Sequence, residues 1–260
     1  MKHLIEEIGT YLEFASCAVA WLPILAASDA RHYREAVPRY EGRWLRRFGR
    51  ATSALTPLWH FTVEGEPPKD IRARPYVVVS NHVSMADPFL LSWLPWDMRW
   101  VAKEELFRIP LLGTLIRMGG DIPLRRGDGE SVRAMFSACR HTLRHGLSVM
   151  IFPEGTRSRD GELGAFKDGA FRLAIEEQVP ILPIAIEGTH DCIVKGSRRL
   201  GRARAVARIL PAIESRGLGV EDAPRVRDLA RARIGAALGH PVEADLSDAG
   251  LVAPSASSPR

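Results

Sequence analysis

Cysteine is scarce: Cys17, Cys139 and Cys192 are the only three in 260 residues, and they stand far apart. They build neither a disulfide framework nor the ligand spacing of a zinc site, which points to a reducing compartment. No Gly-x-Ser-x-Gly elbow, P-loop or dinucleotide fingerprint occurs, so the sequence gives no support for a serine acyl-enzyme or for ATP- or NAD-dependent chemistry. No internal repeat is visible. Uncharged stretches of membrane-spanning length are also missing. Phe14–Ala27 is uncharged and mostly apolar, but it has fourteen residues with Pro23 inside, against roughly 20 for a span. Extension back to Ile8 takes in Glu13. The first residues set Lys2 against Glu6 and Glu7, unlike the cationic start of a secretory signal. The expectation is an interfacial or re-entrant helical segment, with a true span and a buried core helix as alternatives.

The remaining composition is that of a folded protein. Hydrophobic residues are 46% and charged residues 26%, which excludes a collagen, a disordered chain and a polytopic membrane protein. Lys plus Arg is 36 against 31 Asp plus Glu, a net charge of +5. A basic balance suits anionic partners. Much of the excess is local. Seven arginines lie between Arg31 and Arg50 against Glu35 and Glu41, interleaved with Tyr33, Tyr40, Trp44, Leu45 and Phe48. Aromatic residues among arginines fit an anionic lipid headgroup layer, and arginine-rich flanks mark the cytoplasmic side. A solvated helix face is the plainer alternative.

From residue 59 onward, short apolar runs alternate with amphipathic stretches. Trp59–Glu66 reads as a strand ending in a Gly-Glu-Pro-Pro turn. Tyr76–Ser80, Arg99–Ala102, Leu147–Phe152, Ile181–Ile186 and Ala205–Leu210 read as buried strands. Gly129–His145 carries Val132, Met135, Phe136, Cys139 and Leu143 on one helical face, with Gly146 as its stop. Lys167–Gln178 and Ala223–Leu238 are further helix candidates. The pattern predicts a single α/β domain with a largely parallel or mixed central sheet flanked by helices. An N-terminal amphipathic helical segment for membrane association precedes it. The boundaries read as 1–58 for that segment, 59–246 for the α/β domain and 247–260 for a disordered Ser/Ala/Pro-rich tail.

In such sheets chemistry collects at the carboxyl ends of strands, and two polar blocks follow predicted strands directly. In Asn81-His82-Val83-Ser84-Met85-Ala86-Asp87-Pro88, His82 and Asp87 are five positions apart. On a helix they would diverge by about 140°, so they meet only across a turn. Pro88 suits the first position of a new helix, which places Asp87 at its N-cap. Such a His–Asp pair is a general base whose tautomer the carboxylate fixes, or Asp87 merely caps backbone N–H groups. The second block, Phe152-Pro153-Glu154-Gly155-Thr156-Arg157-Ser158, joins a glycine that admits close backbone approach to a guanidinium fork for phosphate or carboxylate. Its alternative is a polar turn with an Arg–Glu pair. Arg125 and Arg126 follow the Pro-containing apolar stretch 119–124. Lys103 ends a strand, and Lys167 stands in Phe166-Lys167-Asp168-Gly169. All are either phosphate ligands or ordinary surface charge. His141 and His145, four apart on a helix, lack a third ligand nearby, so no metal is expected.

Four blocks occur in order: Asn81–Asp87, Gly120–Arg126, Phe152–Ser158 and Val179–Pro183, with Val101–Leu106 and Phe166–Gly169 also fitting. Together they resemble the glycerolipid acyltransferase family, specifically the bacterial 1-acyl-sn-glycerol-3-phosphate acyltransferases, over roughly residues 40 to 210. Arg125 departs from the family pattern, which often has an acidic residue before the arginine. The resemblance implies transfer of a fatty acyl group from a thioester to the sn-2 hydroxyl of 1-acylglycerol 3-phosphate, giving phosphatidic acid. It implies His82 as general base and Asp87 as the group orienting its imidazole. Arg126 and Arg157, with Lys103 and Lys167, would hold the acceptor phosphate. Glu154, with Gly155 and Thr156, would orient the glycerol portion or a basic neighbour, and Val179–Pro183 would form a structural wall. It implies no cofactor. The partners would be a lysophospholipid acceptor, acyl-CoA or acyl carrier protein as donor, and an anionic membrane surface, at the cytoplasmic face of the inner or plasma membrane. No nucleic acid is expected. Lys195, Arg198, Arg199, Arg202, Arg204 and Arg208, without acidic neighbours in sequence, are either donor-binding charge or solvated charge. Other acceptors, such as glycerol 3-phosphate, another lysophospholipid or a lyso-aminolipid, keep the same chemistry. A non-enzymatic basic membrane- or nucleic-acid-binding protein is the alternative of another class.

Overall fold

Seven strands form one sheet in the order β1-β7-β6-β2-β5-β3-β4. The computed structural model describes residues 2–32, 34–158, 161–193 and 199–240. The strands are β1 (Trp59–Glu64), β2 (Val77–Ser80), β3 (Met98–Lys103), β4 (Ile122–Leu124), β5 (Ser148–Ile151), β6 (Ile181–Glu187) and β7 (Ala203–Ile209). Every neighbouring pair is parallel except β6 with β7. The sheet is therefore mixed, and the α/β class read from the sequence holds. The helices are α1 (Lys2–His32), α2 (Arg39–Leu55), α3 (Asp87–Leu91), α4 (Leu112–Met118), α5 (Gly129–Arg144), α6 (Gly169–Glu176) and α7 (Ala223–Ala237).

Strand alternation sorts the core into two layers. Val78, Met150, Leu182 and Ile184 face a cluster closed by Tyr76, Leu90, Trp96 and Trp100. Val77, Val79, Val149 and Ile181 face α5, α6 and α7 through Met135, Cys139, Leu143, Phe171 and Val226. The α5 stripe predicted from periodicity is thus a packing face. Asp128 caps α5 by accepting from the Glu130 and Ser131 N–H groups. A third cluster joins α1, α2 and α4 through Leu25, Leu45, Phe48 and Leu115.

Three features go beyond the sequence reading. The N-terminal helix is longer than the apolar run Phe14–Ala27: α1 runs for 31 residues, straight through Pro23. It has the length and apolarity of a membrane span over Leu4–His32. It is nevertheless fastened to the domain along its length. Leu200 N–H donates to Glu7 (3.0 Å), Thr10 pairs with Thr56 (2.9 Å), Trp21 Nε1 donates to the Trp44 carbonyl (2.9 Å) and Ser28 donates to Glu41 (2.7 Å). Second, residues 122–124 form a short edge strand; three residues with Pro123 in the middle show no alternation, and an edge is where a sheet tolerates proline. Third, the arginines of 31–50 are not all free for lipid. Arg46 is buried, pairs with Asp121 at 2.6 Å and stacks 3.7 Å over Trp100. The predicted tail, 247–260, and Tyr33, Lys195 and Arg198 lie outside the described residues.

Candidate active site

The segment leaving β2 turns sharply, and Asn81 fastens that turn. Its side chain donates to the Ile186 carbonyl and accepts from the Ile186 N–H, both at 2.8 Å. An amide side chain thus continues the pairing of β2 with β6 where the backbone departs. His82 follows, and its own main chain is gripped from the 152–158 loop. Its N–H donates to Glu154 Oε1 (2.9 Å), and its carbonyl accepts from the Ser158 N–H (2.8 Å). Its ring stacks on Phe152 with centroids 4.0 Å apart. Two polar blocks some 70 residues apart in sequence are therefore one piece of structure.

The imidazole meets Asp87 across the turn. His82 Nδ1 lies 2.7 Å from Asp87 Oδ2, with the histidine side chain 12% exposed and the aspartate fully buried. A carboxylate only accepts, so Nδ1 carries the proton, and in the neutral imidazole the lone pair is then on Nε2. The same Oδ2 accepts from the Val83 and Ser84 N–H groups (2.9 and 3.0 Å), and Oδ1 accepts from Thr189 Oγ1 (2.5 Å). Asp87 is the first residue of α3 rather than its N-cap, which is Ala86. Its oxygens point back into the turn instead of capping the helix. Thr189 had no sequence signal. It enters through a 3₁₀ turn after β6, made possible by Gly188 at φ +84°, where a Cβ would collide with the Arg204 carbonyl.

The other sequence candidates are placed as follows. Glu154 is buried, and burial raises its carboxyl pKa, opposed by hydrogen bonds from the His82 and Gly164 backbone N–H groups. Both bonds fasten the carboxylate to main chain, which gives Glu154 a scaffolding role, and Arg231 lies within its field. Gly155 has φ +70°, and Lys167 Nζ lies 3.0 Å from where its Cβ would sit. The glycine thus admits the exposed Lys167 against the loop. Thr156 is exposed beside it. Arg126 follows β4; partial burial lowers its guanidinium pKa, Glu105 opposes that shift, and the like charge of Arg157 adds to it. Arg126 and Arg157 therefore lie within each other's field. Lys103, at the end of β3, is an exposed side chain paired with Glu105 at 3.0 Å. Arg125 is held by Glu104 and Asp128. Val179–Pro183 runs into buried β6 and lines sheet rather than solvent.

Among the described basic residues of 199–208, Arg202 pairs with Glu6, and Arg208 with Glu64 and Glu187, all from distant sequence. The ring nitrogens His141 Nε2 and His145 Nδ1 lie against backbone carbonyls (3.1 and 2.8 Å). Among the described residues, no group of three or more His, Cys, Asp or Glu gathers as a metal site. Burial raises the thiol pKa of Cys17, of Cys192 and of Cys139, the last to about 12. None of the three is a ready thiolate nucleophile. The arrangement is a histidine hydrogen-bonded to a buried aspartate at a strand end, its main chain bonded to the loop that carries Arg157, with Arg126 within the field of Arg157.

Comparison with known proteins agrees. The family model described as Acyltransferase matches residues 60–187. A protein of Arabidopsis thaliana, "1-acyl-sn-glycerol-3-phosphate acyltransferase LPAT1, chloroplastic", is 37% identical over 147 residues, 56% of this chain and 41% of that one. A protein of Ovis aries, "1-acyl-sn-glycerol-3-phosphate acyltransferase alpha", is 36% identical over 161 residues, 61% of this chain and 56% of that one. The alignments thus span about half the length of these relatives. The crystal structure of the 1-acyl-sn-glycerophosphate (LPA) acyltransferase PlsC from Thermotoga maritima superposes with a TM-score of 0.69 at 25% identity, covering 90% of this chain and 98% of that one.

Proposed function

We propose that the chain, whose residues 60–187 match the family model described as Acyltransferase, is an O-acyltransferase that makes phosphatidic acid. It moves a fatty acyl group from acyl-CoA or acyl carrier protein to the sn-2 hydroxyl of 1-acylglycerol 3-phosphate. The observation that carries this is the 2.7 Å contact of His82 Nδ1 with buried Asp87, which leaves Nε2 as the base.

In the reaction, His82 Nε2 takes the proton of the attacking hydroxyl as its oxygen bonds to the thioester carbonyl carbon. The tetrahedral intermediate then collapses, the C–S bond breaks, and the thiol departs with a proton returned from the imidazolium. Asp87 holds the ring and stabilises its positive charge. No protein nucleophile is needed. Arg126 and Arg157 bind the acceptor phosphate, with Lys167 close to the Gly155 loop. Lys103 is the more remote contributor, since Glu105 already occupies it. A clamp of this kind fixes the hydroxyl against the base, and such positioning contributes roughly 7–11 kcal/mol where the geometry is near attack. The reaction requires no cofactor.

The division of labour follows the sequence boundaries, with 1–58 as the membrane-associating segment and 59–246 as the catalytic domain. One face of α1 exposes Leu4, Ile5, Ile8, Tyr11, Leu12 and Val19, while the other is fastened to the domain. A helix of about 46 Å tied down at both ends lies in a membrane surface more readily than it crosses one. In this reading the site works at the cytoplasmic face of the inner or plasma membrane, where a lysolipid acceptor resides; the arginine-rich stretch 31–50 supports that side. The test is a purified-enzyme panel. Lysophosphatidic acid, glycerol 3-phosphate and a phosphate-free monoacylglycerol are each offered with acyl-CoA and with acyl carrier protein. Phosphatidic acid formed from lysophosphatidic acid, lost in His82→Ala, is expected. Equal turnover of the phosphate-free acceptor would remove the clamp from the proposal, and no turnover with any pair would remove the enzyme.

A further inference from the structure

Away from His82, at the amino-terminal edge of the sheet, lies a cavity of about 480 Å³ lined by Arg39, Arg43, Arg46, Arg47 and Arg50, with Arg72 contributing from a separate loop. The five α2 arginines fall within an arc of about 100° on the helix. Ser148, the first residue of β5, also lines the cavity. Phe152, four residues further along, stacks on His82. At about 3.3 Å per residue the two places are separated by roughly 13 Å along the chain, beyond the span between hydroxyl and phosphate in one glycerol phosphate.

The cavity's charge is largely uncompensated. Asp97 is the one carboxylate in its lining. It already binds the fully buried Arg99 at 2.9 Å, with Arg43 Nε further off at 3.7 Å. Behind the wall Asp121 serves Arg46. Seven guanidiniums, Arg99 included, thus share two carboxylates. The other arginines touch neutral groups. Arg39 donates to the His145 carbonyl and Arg72 to the Pro95 carbonyl, while Arg47 and Arg50 stack over Trp44 and Trp93. Two buried donors in lining residues, Arg46 Nε and Trp96 Nε1, have no hydrogen-bond partner among the described residues. Arginine forks and unpartnered N–H donors together select an acceptor-only ligand with several oxygens. A single carboxylate would leave most of the charge unmatched.

We propose that this cavity is a second anion site, distinct from the His82 site, that takes a phosphate group. Its volume admits more than the phosphate alone and falls in the range of small-ligand pockets. The phosphate belongs either to an anionic phospholipid headgroup or to a free phosphorylated small molecule. The site does not depend on the acyltransferase reading, because none of its arginines takes part in the chemistry proposed for His82.

The experiment uses the full chain, wild type, as the double variant Arg43→Gln/Arg50→Gln, as Arg72→Gln and as Arg225→Gln. The first arm measures the thermal midpoint against inorganic phosphate at constant ionic strength. The second measures co-sedimentation with phosphatidylcholine vesicles, with and without 20 mol% phosphatidic acid. The double variant is expected to lose about tenfold or more in whichever affinity the site supplies, Arg72→Gln less, and Arg225→Gln, at an exposed arginine of α7 that lines neither site, to retain it. Loss confined to vesicles identifies a lipid headgroup; loss of the phosphate-induced midpoint shift identifies a soluble ligand. Should the double variant fail to fold, as judged by its midpoint without phosphate, Arg72→Gln decides, since it gives up only one carbonyl contact. Wild-type behaviour in both arms for the folded Arg43/Arg50 or Arg72 variants overturns the proposal.

Discussion

At the carboxyl end of β2 one buried carboxylate, Asp87, accepts from an imidazole, two backbone N–H groups and a threonine hydroxyl. At the amino-terminal edge of the sheet, two buried donors in an arginine-lined cavity have no partner among the described residues. The first region is internally complete, and the second, on the proposal above, is completed by an anion. Completeness suits a group that must stay within a fraction of an ångström for proton transfer. Incompleteness suits a place where the partner arrives from outside. Charge density alone would have ranked the arginine cavity as the reactive site; hydrogen-bond accounting ranks it as a receptor and the less charged turn as the catalyst.

The largest expected effect belongs to the complete region. His82→Ala removes the base and should lower acyl transfer by about 10²–10⁴-fold with the thermal midpoint unchanged, read by initial rates with lysophosphatidic acid. Retention of wild-type turnover would dissolve the contrast between the two ends. Next comes a stability effect at the wall of the incomplete region. Asp121→Ala leaves Arg46, 9% exposed, without its carboxylate, and also strips the Trp100 N–H of its acceptor. A loss of about 3–5 kcal/mol in urea unfolding is expected; a loss below 1 kcal/mol would show that water or solute already serves Arg46 there, on the scale of an exposed pair.

Smaller effects sharpen the same comparison. Thr189→Val takes one of four donors from Asp87 and should cost about 1–3 kcal/mol of stability, together with a fall in kcat greater than any change in KM. An altered KM alone would make Thr189 a wall of the acceptor pocket instead. The smallest effect concerns pH. Burial raises the Glu154 carboxyl above its ordinary 4.5, so between those values the folded chain holds a proton that the unfolded chain has released. Wild type should therefore gain stability relative to Glu154→Gln as pH falls toward 4.5. The opposite trend in parallel denaturation curves would mean that its hydrogen bonds from main-chain N–H groups outweigh desolvation.

Sequence reading went furthest where the chemistry is local. His82, Asp87 and the following Pro88 are adjacent to an apolar run, and the turn that lets them meet is implied by their own spacing. The parallel strands and the α5 face were visible for the same reason, since periodicity records which side of an element is buried. Thr189 was invisible: it reaches Asp87 across 102 positions, and nothing near it marks the arrival. Glu154 was visible but its main-chain partners were not, because N–H groups are what every residue offers. For α1, Glu13 bounded the apolar stretch and Pro23 interrupted it. The helix continues past both, with Glu13 partly buried and its carboxyl pKa raised by desolvation. The arginine cavity draws on α2, Arg72, Asp97 and Ser148, so only tertiary structure assembles it.

The claim on which the mechanism stands is that Asp87 holds His82 with its proton on Nδ1 and its lone pair on Nε2. The direct measurement is a long-range ¹H–¹⁵N correlation spectrum of ¹⁵N-histidine-labelled protein at pH 8, with the His82 signals assigned by their loss in His82→Gln. The expected result is a protonated, pyrrole-type Nδ1 and an unprotonated, pyridine-type Nε2, with that preference lost in Asp87→Asn. A proton residing on Nε2 in the wild-type protein would contradict the assignment of His82 as the base.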